Sequence, residues 1–132
     1  MTQARHLMKT AVLCLKPDMP IDEAIELMRQ NGTISAPVLN DDDTIAGILV
    51  ESDVIKMFIH PVTGGKEGTT VGDFMTQGVI TEQMESDIGQ ISWCLLNHHF
   101  RQVPIVCNGK FAGIISRKDL LRHMTGPDSR KE

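Results

Sequence analysis

The sequence predicts a mixed α/β fold of the α+β type, with two pseudo-symmetric halves that each run β-α-β-β-α. The length of 132 residues and the hydrophobic fraction of 41% suit one ordinary globular domain, or two small halves that share a core. A ten-residue stretch, 112–121, changes at Ser116 from a strand-like apolar run to a helix-like pattern, and residues 46–55 are a partial copy of it. The copy predicts one structural unit written twice.

Identical residues recur along the chain at a nearly constant separation. Four pairs lie 67 positions apart and four lie 66 apart: Met8/Met75, Val12/Val79, Ile21/Ile88 and Pro37/Pro104, then Ala46/Ala112, Gly47/Gly113, Ile48/Ile114 and Asp53/Asp119. Each half has only about 55 residues, which is small for an independent core, so we expect the halves to pack sheet to sheet. We assign residues 4–60 to the first repeat, 61–70 to a linker, 71–125 to the second repeat and 126–132 to a flexible tail.

The elements of the first half follow from local patterns. We expect a short helix at 4–8 and a strand at 12–15. A helix follows whose buried face carries Ile21, Ala24, Ile25 and Met28, because these residues recur at helical spacing. Asn31-Gly32 ends that helix. Strands at 36–39 and 44–50 flank an acidic turn, and Ser52-Asp53 opens a helix that continues through Met57, Phe58 and Ile59.

The second half repeats this order. We expect a short helix at 71–75, a strand at 79–80, and a helix that Ser86 caps and that buries Ile88, Ile91 and Leu95. Strands at 102–107 and 111–115 flank the Asn108-Gly109 hairpin turn. The last helix packs through Leu120, Leu121 and Met124.

Composition excludes several classes of function. The net charge of −4 argues against a nucleic-acid partner, because phosphate binding depends on clustered lysine and arginine. No apolar run approaches a membrane span and the first residues do not resemble a signal peptide, so we expect a cytoplasmic protein without a membrane partner. The three cysteines have no C-x-x-C spacing, and the acidic turn at 41–43 lacks the EF-hand pattern, so we expect no metal.

Ser116 and Asp119 allow two interpretations. As a helix capping box, the pair would satisfy backbone N–H groups at the start of the last helix. As a ligand site, the carboxylate would offer two acceptor oxygens to a vicinal diol, and the helix N-terminus would favour a phosphate. A third hypothesis, a hydrolase using Asp53 and Asp119 as an acid/base pair, conflicts with the repeat, which puts the two residues in different clefts.

The chain resembles a tandem pair of CBS (cystathionine β-synthase) domains, the Bateman module, as found in stand-alone bacterial-type CBS domain proteins. The resemblance covers about residues 4–125. It rests on the Gly113-Ile114-Ile115-Ser116-x-x-Asp119 signature, on the openings Met8-Lys9-Thr10 and Met75-Thr76, and on the proline-bearing strands. It implies a regulatory module rather than an enzyme, and a disc-like homodimer that acts on an unknown regulated protein. It also implies that no cofactor is required and that the effector is AMP, ADP, ATP, S-adenosylmethionine or NAD.

The resemblance also implies which residues bind. In the main inter-repeat cleft, Asp119 would accept the ribose hydroxyls, Ser116 would contact ribose or phosphate, and Ile114 would line the adenine pocket. The opposite wall would come from Leu13, Thr33, Ile34 and Ser35, with Arg101 and Gln102 near the phosphates. The second cleft would use Asp53, Ile48, Ile80 and Phe100.

The two clefts are not expected to be equal. Val50 stands where the family has Ser or Thr, so we expect the second cleft to be weak or empty. The resulting hypothesis is a sensor that binds an adenine nucleotide and passes its occupancy to a partner through a dimer. The alternative is a dimerisation scaffold with vestigial clefts.

Overall fold

The chain folds into two compact units of mixed α/β structure. The structure is a computed structural model that describes residues 2–56, 59 and 69–125. Of these, unit 1 comprises residues 2–12 and 80–125, and unit 2 comprises the rest, from 13 to 79. The predicted linker, except for Thr69 and Thr70, the predicted tail, and the helical positions Met57 and Phe58 lie outside the described residues.

The units do not coincide with the two sequence repeats, because the opening segment of each repeat belongs to the unit built mainly from the other. Lys9, from the first repeat, exchanges two backbone hydrogen bonds of 2.9 Å with Ile114 of the second. Thr76, from the second repeat, does the same with Ile48 of the first, at 2.8 and 3.0 Å. Each unit is therefore assembled from both repeats.

Unit 2 contains a two-stranded antiparallel sheet and, among its described residues, three helices. Its elements are α2 (Ile21–Gln30), β1 (Ser35–Leu39), β2 (Ile45–Val50), α3 (Glu51–Ile55) and α4 (Val71–Phe74). Helix α2 buries Ile21, Ala24 and Met28, as its spacing predicts, against a core that includes Leu15. Asn31 is its C-cap and is followed by Gly32 at a φ of +61°, which confirms that the helix stops at Asn31-Gly32 as predicted.

Unit 1 contains a three-stranded sheet. Its elements are α1 (Ala4–Leu7), β3 (Glu82–Gln83), α5 (Ile88–Asn97), β4 (Gln102–Cys107), β5 (Lys110–Ser116) and α6 (Arg117–Thr125). Strand β3 pairs parallel to β4, and β4 pairs antiparallel to β5. The Asn108-Gly109 turn has φ angles of +52° and +79°, as the primed hairpin turn predicted from these residue types requires.

Helix and strand boundaries correct three predictions. The strand expected at 79–80 is wrong, since β3 starts at Glu82, and the strand expected at 12–15 is reduced to a single β-bridge, between Leu15 and Val38. The cap of α5 is Asp87 rather than Ser86. Asp87 exchanges hydrogen bonds of 2.8 and 2.9 Å with Gln90, while the Ser86 hydroxyl accepts from the backbone of Gln83.

The last helix packs less of its apolar face than its sequence predicts. Leu120 is partly buried in the unit 1 core, but Leu121 and Met124 are 59% and 68% exposed. No helix in the described ranges is long and apolar enough to cross a lipid bilayer.

Candidate nucleotide-binding corner

Ser116 and Asp119 form a buried polar corner where β5 passes into α6. We call this pair the unit 1 corner. The Asp119 side chain is 4% exposed, and its Oδ2 atom accepts from the Ser116 backbone N–H at 2.8 Å and from the Ser116 hydroxyl at 2.9 Å. The Ser116 Oγ in turn accepts from the Asp119 N–H at 3.2 Å. The capping-box interpretation of the sequence is therefore confirmed.

Two cations approach the other oxygen of the same carboxylate. Arg122 Nη1 donates to Asp119 Oδ1 at 3.2 Å, and Lys9 Nζ lies 3.6 Å from that oxygen. The Lys9 and Arg122 side chains are 56% and 64% exposed, whereas the carboxylate is buried. A buried carboxylate is costly unless it is paired and hydrogen-bonded, and these partners meet that requirement on both oxygens.

The pairing register of the sheet gathers further predicted residues beside the corner. Gln102 lies opposite Ser116, and Ile114 pairs with Lys9 on its other edge. Directly paired residues point to the same face of a sheet, so the side chains of Lys9, Gln102, Ile114 and Ser116 share one face. Ile114 is buried there, at 6% exposure.

Gln102 carries an unsatisfied donor on this face. Its Nε2 atom is shielded from solvent and has no hydrogen-bond partner, and it is the one such side-chain atom in the described part of the chain. Buried polar groups are nearly always paired, because an unmade hydrogen bond leaves the desolvation cost uncompensated. The Gln102 amide therefore holds an unused hydrogen-bond donor beside the unit 1 corner.

Arg117, the first residue of α6, acts on the fold rather than on a free site. Its Nε donates to the Phe100 carbonyl at 2.7 Å, and its Nη2 donates to the Leu95 carbonyl at 3.1 Å. Leu95 lies in the last turn of α5, where its carbonyl also accepts from the Phe100 N–H at 3.0 Å, and Phe100 lies three residues beyond the end of the helix. Arg101 is exposed, and its carbonyl accepts from the Arg117 N–H at 2.9 Å.

The equivalent corner of unit 2 comprises Val50 and Asp53. Asp53 Oδ2 accepts from the Val50 N–H at 3.3 Å, and the Thr76 hydroxyl lies 3.2 and 3.4 Å from the two carboxylate oxygens. Val50 supplies no hydroxyl, and no ion pair joins Asp53 to another described residue. The unit 2 corner therefore keeps one acidic group with neutral partners.

The structure divides the predicted binding residues between the units. Seven of them belong to unit 1, where the first four lie at or beside the corner: Gln102, Ile114, Ser116, Asp119, Arg101, Ile80 and Phe100. Six belong to unit 2, where the first three lie at or beside its corner: Ser35, Ile48, Asp53, Leu13, Thr33 and Ile34. Ser35 lies opposite Val50, and the Thr33 hydroxyl donates to the Ser35 carbonyl at 2.7 Å. The residues assigned to each predicted cleft thus come from both units.

Sequence reasoning missed the three side chains that contact the two aspartates from outside the signature. Arg122 could have been found from its position three residues after Asp119 on one helix. Lys9 and Thr76 occupy equivalent positions, 67 residues apart. Their role depends on the exchange of opening segments between the units, which no local pattern reveals.

A separate cavity of about 530 Å³ opens beside α5 of unit 1. It is lined by Ile80, Glu82, Asp87, Gly89, Gln90, Trp93, Cys94 and His98. Burial raises the pKa of the Glu82 carboxyl, and burial together with Glu82 raises the pKa of the Cys94 thiol. A raised thiol pKa opposes thiolate formation, so Cys94 is not an activated nucleophile. The described residues hold no cluster of three metal-ligating side chains.

The comparisons with known proteins identify the family. The CBS domain model matches twice, at residues 4–60 and 71–126. Hypoxic response protein 1 of Mycobacterium tuberculosis is 25% identical over 126 residues, which cover 94% of this chain and 86% of that protein. An uncharacterized protein of Methanocaldococcus jannaschii, MJ1225, is 28% identical over 118 residues, and there the match spans 41% of the relative's length. The chain belongs to the CBS domain family.

Solved structures agree on the fold. CBSX2, solved in complex with AMP, superposes with a TM-score of 0.86 at 23% identity, and all of both chains is covered. The CBS domain pair of protein MJ0100, solved with 5′-methylthioadenosine and S-adenosyl-L-methionine, gives a TM-score of 0.80 at 18% identity, with 95% of this chain and 97% of that chain covered. The predicted fold, a pair of CBS repeats forming a Bateman module, is confirmed.

Proposed function

We propose that this protein is a regulatory module that binds an adenine nucleotide at the unit 1 corner and passes its occupancy through a homodimer to a partner protein. The observation that carries the proposal is the Asp119 carboxylate, buried at the start of α6 beside Ser116 and two cations. The fold is shared with CBS pairs solved with AMP and with S-adenosyl-L-methionine, which supports a ligand of the adenosine class.

The corner suits a nucleotide for chemical reasons. A ribose diol has two O–H donors, and the Asp119 Oδ1 atom accepts one hydrogen bond, from Arg122, beside the looser Lys9 contact. A carboxylate oxygen can accept two hydrogen bonds, so a ribose hydroxyl fits once Lys9 swings aside. Ile114 and the unpaired Gln102 Nε2 lie beside the corner, and a small movement of the groups that cover them would give adenine an apolar contact and the ligand a hydrogen-bond donor. Leu13, Thr33, Ile34, Ser35 and Arg101 remain predicted contributors.

Calorimetric titration and thermal denaturation with AMP, ADP, ATP, NAD and S-adenosylmethionine test the proposal. A ligand at one hundred times its Kd should stabilise the fold by about 2.7 kcal/mol. Asp119→Ala should abolish the stabilisation, whereas Asp53→Ala, the matched change in unit 2, should keep most of it. Unchanged melting curves and silent titrations with all five compounds would reject nucleotide binding.

The proposed dimer has candidate contact surfaces in unit 1. The exposed large apolar side chains there include Trp93 and Leu96 on α5, and Leu121 and Met124 on α6, each at least 59% exposed. The two helices contact each other. Light scattering after size-exclusion chromatography should give a dimer mass, and Trp93→Glu combined with Leu96→Glu should give a monomer. A monomeric wild-type chain at micromolar concentration would contradict the dimer.

The alternative is a dimerisation scaffold that does not respond to ligands. One observation favours it: both Asp119 oxygens already have partners within the chain. On this hypothesis the dimer is constitutive, and a captured partner protein binds equally with and without AMP. A change of dimer mass, or of partner affinity, when AMP is added would decide against the scaffold.

A further inference from the structure

Asp119 and its two ion-pair partners carry one net positive charge. The carboxylate is buried, while the Lys9 and Arg122 stems leave their cationic groups more than half exposed. Lys9 Nζ, at 3.6 Å from Oδ1, is beyond ordinary hydrogen-bond length, so its contact with the carboxylate is an ion pair that moves easily. The Lys9 ammonium group can therefore move from Asp119 to another anion while the fold stays intact.

We infer that Lys9 and Arg122 make the unit 1 corner selective for nucleotides with a 5′-phosphate over uncharged nucleosides. This inference rests on the proposed function and names the ligand class. When one ribose hydroxyl donates to Asp119 Oδ1, it replaces Lys9, and the displaced ammonium group needs a new anion. A phosphate on the same ligand supplies that anion, and Arg122 can fork between carboxylate and phosphate oxygens. A neutral nucleoside displaces Lys9 from Asp119 but offers the ammonium group no new anion.

Unit 2 provides an internal comparison for this inference. The position equivalent to Lys9 is Thr76, whose hydroxyl contacts Asp53, and Asp53 has no ion pair within the described residues. A diol that displaced Thr76 would leave no unpaired charge behind. The selectivity for phosphate therefore depends on which residue the opening segment brings to the aspartate, and not on the aspartate itself.

The test compares AMP with adenosine by calorimetric titration of the full chain. The wild type should bind AMP about tenfold more tightly than adenosine, which corresponds to about 1.4 kcal/mol. Lys9→Thr, which copies unit 2, should reduce that ratio to about threefold or less, mainly by weakening AMP, since an exposed charge pair contributes modestly. Lys9→Arg should retain the ratio, and raising the salt concentration should reduce it in the wild type.

Control variants distinguish a failure of the phosphate selectivity from a failure of nucleotide binding itself. Lys16→Thr removes another exposed lysine, one that lies 3.8 Å from Asp41 in unit 2, and should leave the ratio unchanged. Melting curves of each variant show whether it is folded. Equal wild-type affinities for AMP and adenosine, or an unchanged ratio in both Lys9→Thr and Arg122→Gln, would overturn the selectivity while nucleotide binding stands. Absence of binding by both compounds would overturn the proposed function together with this inference.

Discussion

The two corners share one backbone plan and differ in their chemistry. In each, a strand containing glycine leads into a short helix, and an opening segment from the other repeat exchanges two backbone hydrogen bonds with that strand. At the unit 1 corner the aspartate has a serine and two cations as partners, and at the unit 2 corner it has a backbone N–H and a threonine. The backbone plan is therefore retained in both corners, while the side chains around the aspartate differ.

The shared glycines explain why the plan persists while the chemistry diverges. A Cβ atom at Gly113 would lie 2.7 Å from the Lys9 carbonyl oxygen, and one at Gly47 would lie 2.7 Å from the Thr76 carbonyl oxygen. Only glycine admits such a close approach of a neighbouring backbone. The path of the chain therefore requires glycine at both positions. Val50 and Ser116, the last residues of β2 and β5, are not under this constraint and differ.

The largest loss of stability should come from adding a side chain at either glycine. Gly113→Val and Gly47→Val should each destabilise by about 3 kcal/mol, because backbone atoms cannot move aside as a flexible side chain can. Urea denaturation measures this. Gly89→Ala on α5, where the added Cβ meets the Asp87 Oδ1 atom at 3.1 Å and, among the described residues outside α5 and its cap, no backbone atom within 4 Å, is the control and should cause a much smaller loss. Unequal losses at Gly47 and Gly113 would contradict the common plan.

Removal of the aspartates should separate the two corners. Asp119→Ala should destabilise by about 2 kcal/mol, because it deletes the capping acceptor and a charge-assisted bond to Arg122. Asp53→Ala should destabilise by about 1 kcal/mol, since it deletes a longer cap bond and one hydroxyl contact. The same denaturation series measures both, and an equal loss would show that the cations around Asp119 contribute nothing to stability.

Exchange of the capping residues should reverse part of the difference. Val50→Thr adds a hydroxyl at the start of α3 and should stabilise by up to about 1 kcal/mol, the typical value of a cap. Ser116→Val should destabilise by a similar amount and leave the Asp119 N–H without its 3.2 Å acceptor. Thermal denaturation at neutral pH measures both changes. A stabilised Ser116→Val variant would contradict the capping role of the serine.

The smallest effect concerns Glu82, which occupies in unit 1 the position of Leu15 in unit 2. Burial raises the pKa of the Glu82 carboxyl, so the native state binds this proton more tightly than the unfolded chain does. The stability from this group is present below its ordinary pKa and is lost as the pH rises through the raised value.

Glu82→Gln should therefore stabilise by no more than about 0.5 kcal/mol at pH 7, because the site is partly exposed, and by less at pH 4. Urea denaturation at the two pH values measures the difference. A gain that is larger at pH 4 than at pH 7 would contradict the burial of the Glu82 charge.

Much of this molecule is determined locally and could be predicted from the sequence. The α2 face at Ile21, Ala24 and Met28 follows from helical spacing, and the Asn108-Gly109 turn follows from the tolerance of these residues for positive φ. The Ser116–Asp119 cap also lies within four residues. These features need no distant partner, so periodicity and residue type suffice.

Only the tertiary structure decides which residues meet at the two corners. The repeat in the sequence predicts two equal halves, but each opening segment joins the sheet of the other repeat, which brings Lys9 to an aspartate more than a hundred positions away. Strand β3 is two residues long and depends on pairing with β4, so its own sequence could not locate it. Long-range pairing depends on chain path and packing, and a local pattern does not encode it.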